Sequence, residues 1–184
     1  MLGEAQIRQA LVELDAALAR RGVKGEICLF GGAVMVLAFH ARQSTRDVDA
    51  VFAPAPLIRE AVAEVGQEHG WADDWLNDGV KGWTSSRQDV RDAALNLPNL
   101  AVTMPVPEYL LAMKCMAARV DKGNRDLEDV QFLVQHLKLP DAASVLAIVE
   151  EYYPPNRLSV KTRYFVEAAF EDLEEKQLPG PPHP

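Results

Sequence analysis

The stretch "STRDVDAVF", Ser44 to Phe52, sets two carboxylates, Asp47 and Asp49, into what otherwise reads as a buried apolar strand. Aspartate is depleted in strands and costly to bury without a partner. Side chains at i and i+2 of a strand share a face, with Cα atoms roughly 6.5 Å apart. Two carboxylates so placed repel unless a cation lies between them. A hard divalent cation such as Mg²⁺, held by one or two carboxylates together with phosphate oxygens, satisfies that demand. Pairing with Arg42 and Arg46, or a plain surface position for Asp47, would satisfy it too. Upstream, "LFGGAVMVL" places Gly31 and Gly32 between a strand and a helix. Glycine permits tight turns and close backbone approach, and a helix N-terminus offers unpaired N–H groups to a phosphate. A simple tight turn is the alternative. Downstream, Lys114 is the single charge in "LLAMKCMAA", and Asp126 and Asp129 in "NRDLEDV" share a helical face. A lysine whose head reaches water past an apolar face, and acids that are solvated or cap a helix, are the plain readings of these.

The elements that must position these groups follow from periodicity. Ile7, Leu11, Leu14 and Leu18 fall at helical spacing, and Gly22 is a natural stop. "EICLF" predicts a short buried strand, "AVMVLAFHA" a helix, and "DVDAVF" the next strand. After "APAP" a helix runs to about Gln67, its face made by Leu57, Ile58, Ala61, Val62 and Val65. The part from Gly70 to Asn99 lacks periodicity and predicts loop with short helical pieces. Its tryptophans, Trp71, Trp75 and Trp83, suit packing more than a base-stacking platform. "NLAVTM" is a third strand, and Pro105 and Pro107 mark the start of a helix over "EYLLAMKCMAAR". Further helices start near Asn124, after a cap at Asp141, and after a cap at Ser159, the last running to about Glu175. The pattern predicts an α+β (or α/β-like) fold. A small mixed sheet flanked by helices fills residues 1–105, a helical lobe 106–177, and a disordered tail 178–184.

The stretch "GGAVMVLAFHARQSTRDVDAVF" resembles the nucleotidyltransferase fold of the DNA polymerase beta superfamily. Its local form, Arg42-x-Ser-Thr-Arg-Asp-Val-Asp, with "WLNDGVKGW" further on, looks closest to the AbiEii-type toxin branch and relatives of unassigned function. The resemblance implies transfer of a nucleoside monophosphate from an NTP to an acceptor hydroxyl, on an RNA end such as that of tRNA or on a protein. It implies Asp47 and Asp49 as catalytic ligands of Mg²⁺ or Mn²⁺, and Gly31 and Gly32 at the nucleotide phosphates. Arg42 and Arg46 would position phosphates or pin the loop before the strand. Lys114 would reach the triphosphate, beside Arg125, with Asp126 orienting a metal, a water or Lys114, and Asp129 as a further candidate. The superfamily's polymerases carry a third acid on a later strand, and "NLAVTMP" offers none. An inactive nucleotide- or partner-binding module of the same fold is the alternative, and the toxin of a toxin–antitoxin pair, with a cognate antitoxin as partner, is a compatible role.

Composition bounds these readings. The 184 residues carry a net charge of −8, so a global basic field for nucleic acid is absent. The chain is 48% hydrophobic and no apolar run approaches the roughly 20 residues that span a bilayer. Cys28 and Cys115 lie in apolar segments outside any CxxC pair, which suits reduced core residues of a cytoplasmic protein. The acidic, amphipathic beginning reads as neither signal nor transit peptide. His40 reads as a packing or solvent-facing residue.

Overall fold

In the computed structural model the described residues are 1–93, 95–118 and 125–177, with the side chains of 174–177 left out. The expected tail 178–184 and the helix start at Asn124 lie outside them. The fold is α+β. The chain divides into two compact units, one of Met1–Thr84 with Gln88–Val106, the other of Ser85–Arg87 with Pro107–Pro184.

The first unit is built on a mixed five-stranded sheet. Its elements are β1 (Leu2–Gly3), α1 (Glu4–Arg20), β2 (Gly25–Leu29), α2 (Gly31–Leu37), β3 (Ser44–Thr45), β4 (Val48–Ala53), α3 (Ala55–His69), β5 (Leu76–Asn77), β6 (Val90–Asp92) and β7 (Leu100–Pro105). The sheet order is β5-β4-β2-β7-β6, and β1 and β3 form a separate two-stranded ribbon. Central strand β2 runs antiparallel to β4, with Cys28 facing Val51 and Leu29 facing Ala50, and parallel to β7, with Gly25 facing Leu100. Alternation decides which face is covered. Ile27, Leu29, Val48, Ala50, Leu100 and Val102 are buried, while Glu26, Cys28, Asp49, Val51, Ala101 and Thr103 on the other face are exposed or half-buried.

The apolar stripe of α1 (Ile7, Leu11, Leu14, Leu18) is fully buried and packs with that of α3 (Ile58, Ala61, Val62, Val65). At the entry to β7 the buried Asp15 carboxylate of α1 accepts the Asn99 backbone N–H at 2.6 Å. An ion pair to that segment is not needed, because the amide supplies the donor a buried carboxylate requires.

Several elements differ from the sequence reading. The expected helix over "AVMVLAFHA" ends at Leu37, because His40 adopts φ +50° and the Ala41 N–H turns back onto the Met35 carbonyl. The strand expected to hold both aspartates starts at Val48, which leaves Asp47 in the bend before it. The Val48 N–H is taken by the Trp75 carbonyl at 2.7 Å. The aperiodic stretch holds two short edge strands, β5 and β6, around a 3₁₀ turn at Gly79–Trp83.

The second unit is helical: α4 (Pro107–Ala117), α5 (Asp126–His136), α6 (Ala142–Tyr152) and α7 (Val160–Gln177). Asp141 caps α6 by accepting the Ser144 N–H at 2.8 Å, and the Ser159 hydroxyl accepts the Thr162 N–H at 3.1 Å before α7. Tyr109, Leu110, Leu111, Val130, Leu133, Val149 and Val166 make its core. The short segment Ser85–Arg87 packs into this unit. The Ser85 N–H donates to the Tyr109 hydroxyl at 2.9 Å, the Ser85 hydroxyl donates to the Tyr152 carbonyl, and the two tyrosine rings stack at 4.9 Å.

Candidate functional site

The glycine pair closes β2. The Phe30 N–H donates to the Asp49 carbonyl at 2.8 Å, so the chain leaves the sheet beside the first residues of β4. Gly31 then takes φ +58°, a left-handed conformation that residues with a side chain avoid. A Cβ on Gly31 would lie 2.5 Å from Asp49 Oδ2. A Cβ on Gly32 would fall inside the Thr45 hydroxyl, and 3.3 Å from Arg42 Nη1. The fold thus brings Gly31, Gly32, Arg42 and Asp49 together as one local cluster. The room that glycine leaves is taken by the chain's own Asp49 and Thr45. Thr45, buried in the ribbon strand β3, was not singled out in the sequence. Its position two residues before Asp47 and four before Asp49 was the available signal.

Asp47 and Arg46 face other neighbours. They line a cleft of about 280 Å³ with Met1, Leu2, Trp71, Ala72, Asp74 and Trp75. Trp75 is buried and donates its Nε1–H to the Val62 carbonyl at 2.9 Å, as a packing residue does. Trp71 stacks on His69 with ring centroids 4.3 Å apart and meets Trp75 edge-on at 5.4 Å. Trp83, 40% exposed, lies in the 3₁₀ turn.

The remaining candidates belong to the second unit. Lys114 projects from α4 with its Nζ 3.1 Å from Asp126 Oδ1 and 2.7 Å from Asp129 Oδ2, both on the first turn of α5. The latter approach is too far off line to be a hydrogen bond. The three side chains are 11%, 18% and 2% exposed. The triad carries one more negative than positive charge, and Lys114 is already neutralised within it. Arg125, exposed, precedes α5, and its carbonyl accepts the Asp129 N–H at 3.0 Å.

Among the described residues no group of three or more His, Cys, Asp or Glu side chains is arranged to hold a metal. Cys28 is half-buried and its thiol is pushed up by burial, partly offset by a hydrogen bond with Thr103, which leaves it a poor nucleophile. His40 is exposed and pairs with Glu4 at 3.1 Å, outside the cluster.

The fold and these clusters define a mixed α+β protein with an Asp–Gly-Gly junction at the end of its central strand. Comparison with family models, with curated proteins and with solved structures returns no match.

Proposed function

We propose that the chain is a metal-dependent nucleotidyltransferase that moves a nucleoside monophosphate from an NTP to an acceptor hydroxyl. The observation that carries the reading is the junction of Gly31 and Gly32 with Asp49, on two paired central strands, with Arg42 beside it. Asp49 at the junction supplies a hard carboxylate oxygen, and Asp47, in the bend two residues before it and lining the neighbouring cleft, is the second acid the reading requires; such oxygens suit Mg²⁺ or Mn²⁺ completed by water and phosphate oxygens. A divalent ion held by these carboxylates would supply positive charge to the phosphate oxygens of the nucleotide. Arg42 adds a fixed planar cation, and Arg46 a more exposed one, for the phosphates. The acceptor class is an RNA end, tRNA included, or a protein hydroxyl, and the toxin of a toxin–antitoxin pair acting in the cytoplasm is the biological role this chemistry would serve.

The test is incubation of the purified protein with Mg²⁺ and each α-labelled NTP, with and without total RNA, beside Asp47→Ala/Asp49→Ala. Label on RNA or on protein, lost in the double variant, is the expected result. A second reading is a nucleotide- or partner-binding module without catalysis. It is favoured by the filling of the glycine cradle by Asp49 and Thr45 and by the neutralised Lys114. It predicts Mg²⁺-dependent NTP binding and no labelled product.

A further inference from the structure

The chain that follows α3 is strapped back onto the sheet, and one of its anchors can change charge. Gly70, at φ +64°, turns the chain at the end of α3, and the Trp71 N–H bonds the Gly66 carbonyl at 2.8 Å. Trp75 is fixed by its indole N–H on the Val62 carbonyl. Its own carbonyl takes the N–H of Val48, the residue between Asp47 and Asp49. The Trp71 ring is anchored differently. It stacks on His69, the last residue of α3, with centroids 4.3 Å apart and planes 15° from parallel. The edge of that imidazole is held in turn, with Nε2 2.5 Å from Glu13 Oε2 on α1. Partial burial raises the Glu13 carboxyl, but hydrogen bonds from Gln9, at 2.8 Å, and His69 outweigh it and hold it below its ordinary 4.5, so it is ionised at neutral pH.

Imidazole side chains gain a proton between about pH 8 and about pH 5. A charged ring here makes a charge-assisted hydrogen bond to Glu13, lies against an electron-rich indole face, and sits at the helix end whose dipole favours a cation. A neutral ring keeps an ordinary hydrogen bond and dispersion. The other charges on the elements around His69 have places of their own. On α1, Arg8 pairs with Glu4, Arg20 and Arg21 pair with Glu64, and Asp15 accepts the Asn99 amide. Glu68 on α3 and Asp73 in the strap are exposed, and Asp49 on β4 lies at the Gly31 junction. Asp74, Asp47, Arg46 and Met1 line the cleft that Trp71 also lines. We infer that His69 is a pH-responsive latch: protonated, it clamps Trp71 to Glu13 of α1, and neutral, it lets the Trp71 ring loosen from the wall of the cleft it shares with Asp47. The latch stands on these contacts and is independent of the transferase reading.

The test uses the full chain carrying Trp83→Phe, so that emission comes from Trp71 and Trp75. Trp75 is 3% exposed, and quenching by acrylamide, a neutral reagent, therefore reports Trp71. Emission and the acrylamide quenching constant are followed from about pH 8 to about pH 5.5, the span in which imidazole titrates. Both should fall on acidification, because an imidazolium quenches a stacked indole and a clamped ring is less open to collision. Both changes should be lost in His69→Gln. His40→Gln, which alters the exposed histidine paired with Glu4, should leave them intact. Glu13→Gln keeps the stack but removes the grip, so the emission change should persist while the change in quenching constant is lost. Far-UV circular dichroism matching the parent's at both pH values keeps each comparison free of unfolding, and Glu13→Gln carries the test should His69→Gln fail to fold. Emission and quenching that do not depend on pH, a titration that survives His69→Gln, a Trp71 more open to acrylamide at the acid end, or an undiminished change in quenching constant in Glu13→Gln would each overturn the latch.

Discussion

Replacing Gly31 with alanine tests the geometry at the centre of the candidate site. Two separate costs apply. The left-handed backbone, φ +58°, costs an alanine about 1–2 kcal/mol. The new Cβ would also lie 2.5 Å from Asp49 Oδ2, so the carboxylate or the β2–α2 junction must shift, an overpacking strain of about 1–3 kcal/mol. Gly31→Ala should therefore destabilise the protein by about 2–5 kcal/mol. Gly22 separates the two contributions. It has φ +63° and nothing within 4 Å of where a Cβ would sit, so Gly22→Ala should show the backbone cost alone. The steric part should vanish when its partner does. Gly31→Ala in an Asp49→Ala background should cost about as much as Gly22→Ala, leaving a coupling of about 1–3 kcal/mol between positions 31 and 49. Urea denaturation of these variants and the parent protein, followed by far-UV circular dichroism and fluorescence, gives each value. Additivity of Gly31→Ala and Asp49→Ala within about 0.5 kcal/mol would refute the placement of Asp49 over Gly31.

Three further outcomes follow from the same geometry. Lys114→Ala removes the cation beside Asp129, which is 2% exposed, and should cost about 3–5 kcal/mol in denaturant unfolding, whereas Lys114→Arg should cost less. Glu64, held below its ordinary value of 4.5 by hydrogen bonds from Arg21 (2.5 Å) and Arg20, stabilises the fold above that value and loses its contribution as pH falls through the lowered one. The melting temperature of Glu64→Gln should accordingly fall less steeply than that of the wild type on acidification below about pH 4.5. Cys115, fully buried with its thiol pushed up to about 12, should resist a thiol-directed reagent at pH 8 in the native protein and react once the chain is unfolded in denaturant; rapid native labelling at Cys115 would contradict its burial.

What the sequence made legible follows the strength of its local signals. The α1 stripe, the α3 face and strands β2 and β7 rest on regular apolar spacing that packing then uses, and they form where expected, while β4 forms without Asp47, which stays in the bend before it. The caps at Asp141 and Ser159 carry their own side-chain chemistry and could be read directly. Strands β1, β3 and β5 are two residues each, too short for any alternation, and β6 is exposed along its whole length, so no periodicity marks it. The early end of α2 is made by His40, a residue type that gives no stop signal, in a stretch without glycine or proline. At the site, the nearness of Gly31, Gly32, Arg42 and Asp49 was legible, because strand, turn and return strand fix it. The grip of Asp126 and Asp129 on Lys114 was legible only in part. Helical spacing placed the acids on one face, but which cation that face meets depends on how α4 and α5 pack.

The pairing of β2 with β7 has a consequence for synthesis. When Ala53 has left the ribosome, β2 can already zip to β4 across a short connection, but its other edge stays open. That edge waits for a parallel partner at Leu100, opposite Gly25. Closing such a distant loop is slow, and an open edge of apolar residues is a template for neighbouring chains. Between the translation of Ala53 and that of Pro105 the growing chain is at its most vulnerable to aggregation. Asp15, already displayed on α1, then receives the Asn99 backbone N–H as β7 arrives, and that bond marks the end of the exposed interval.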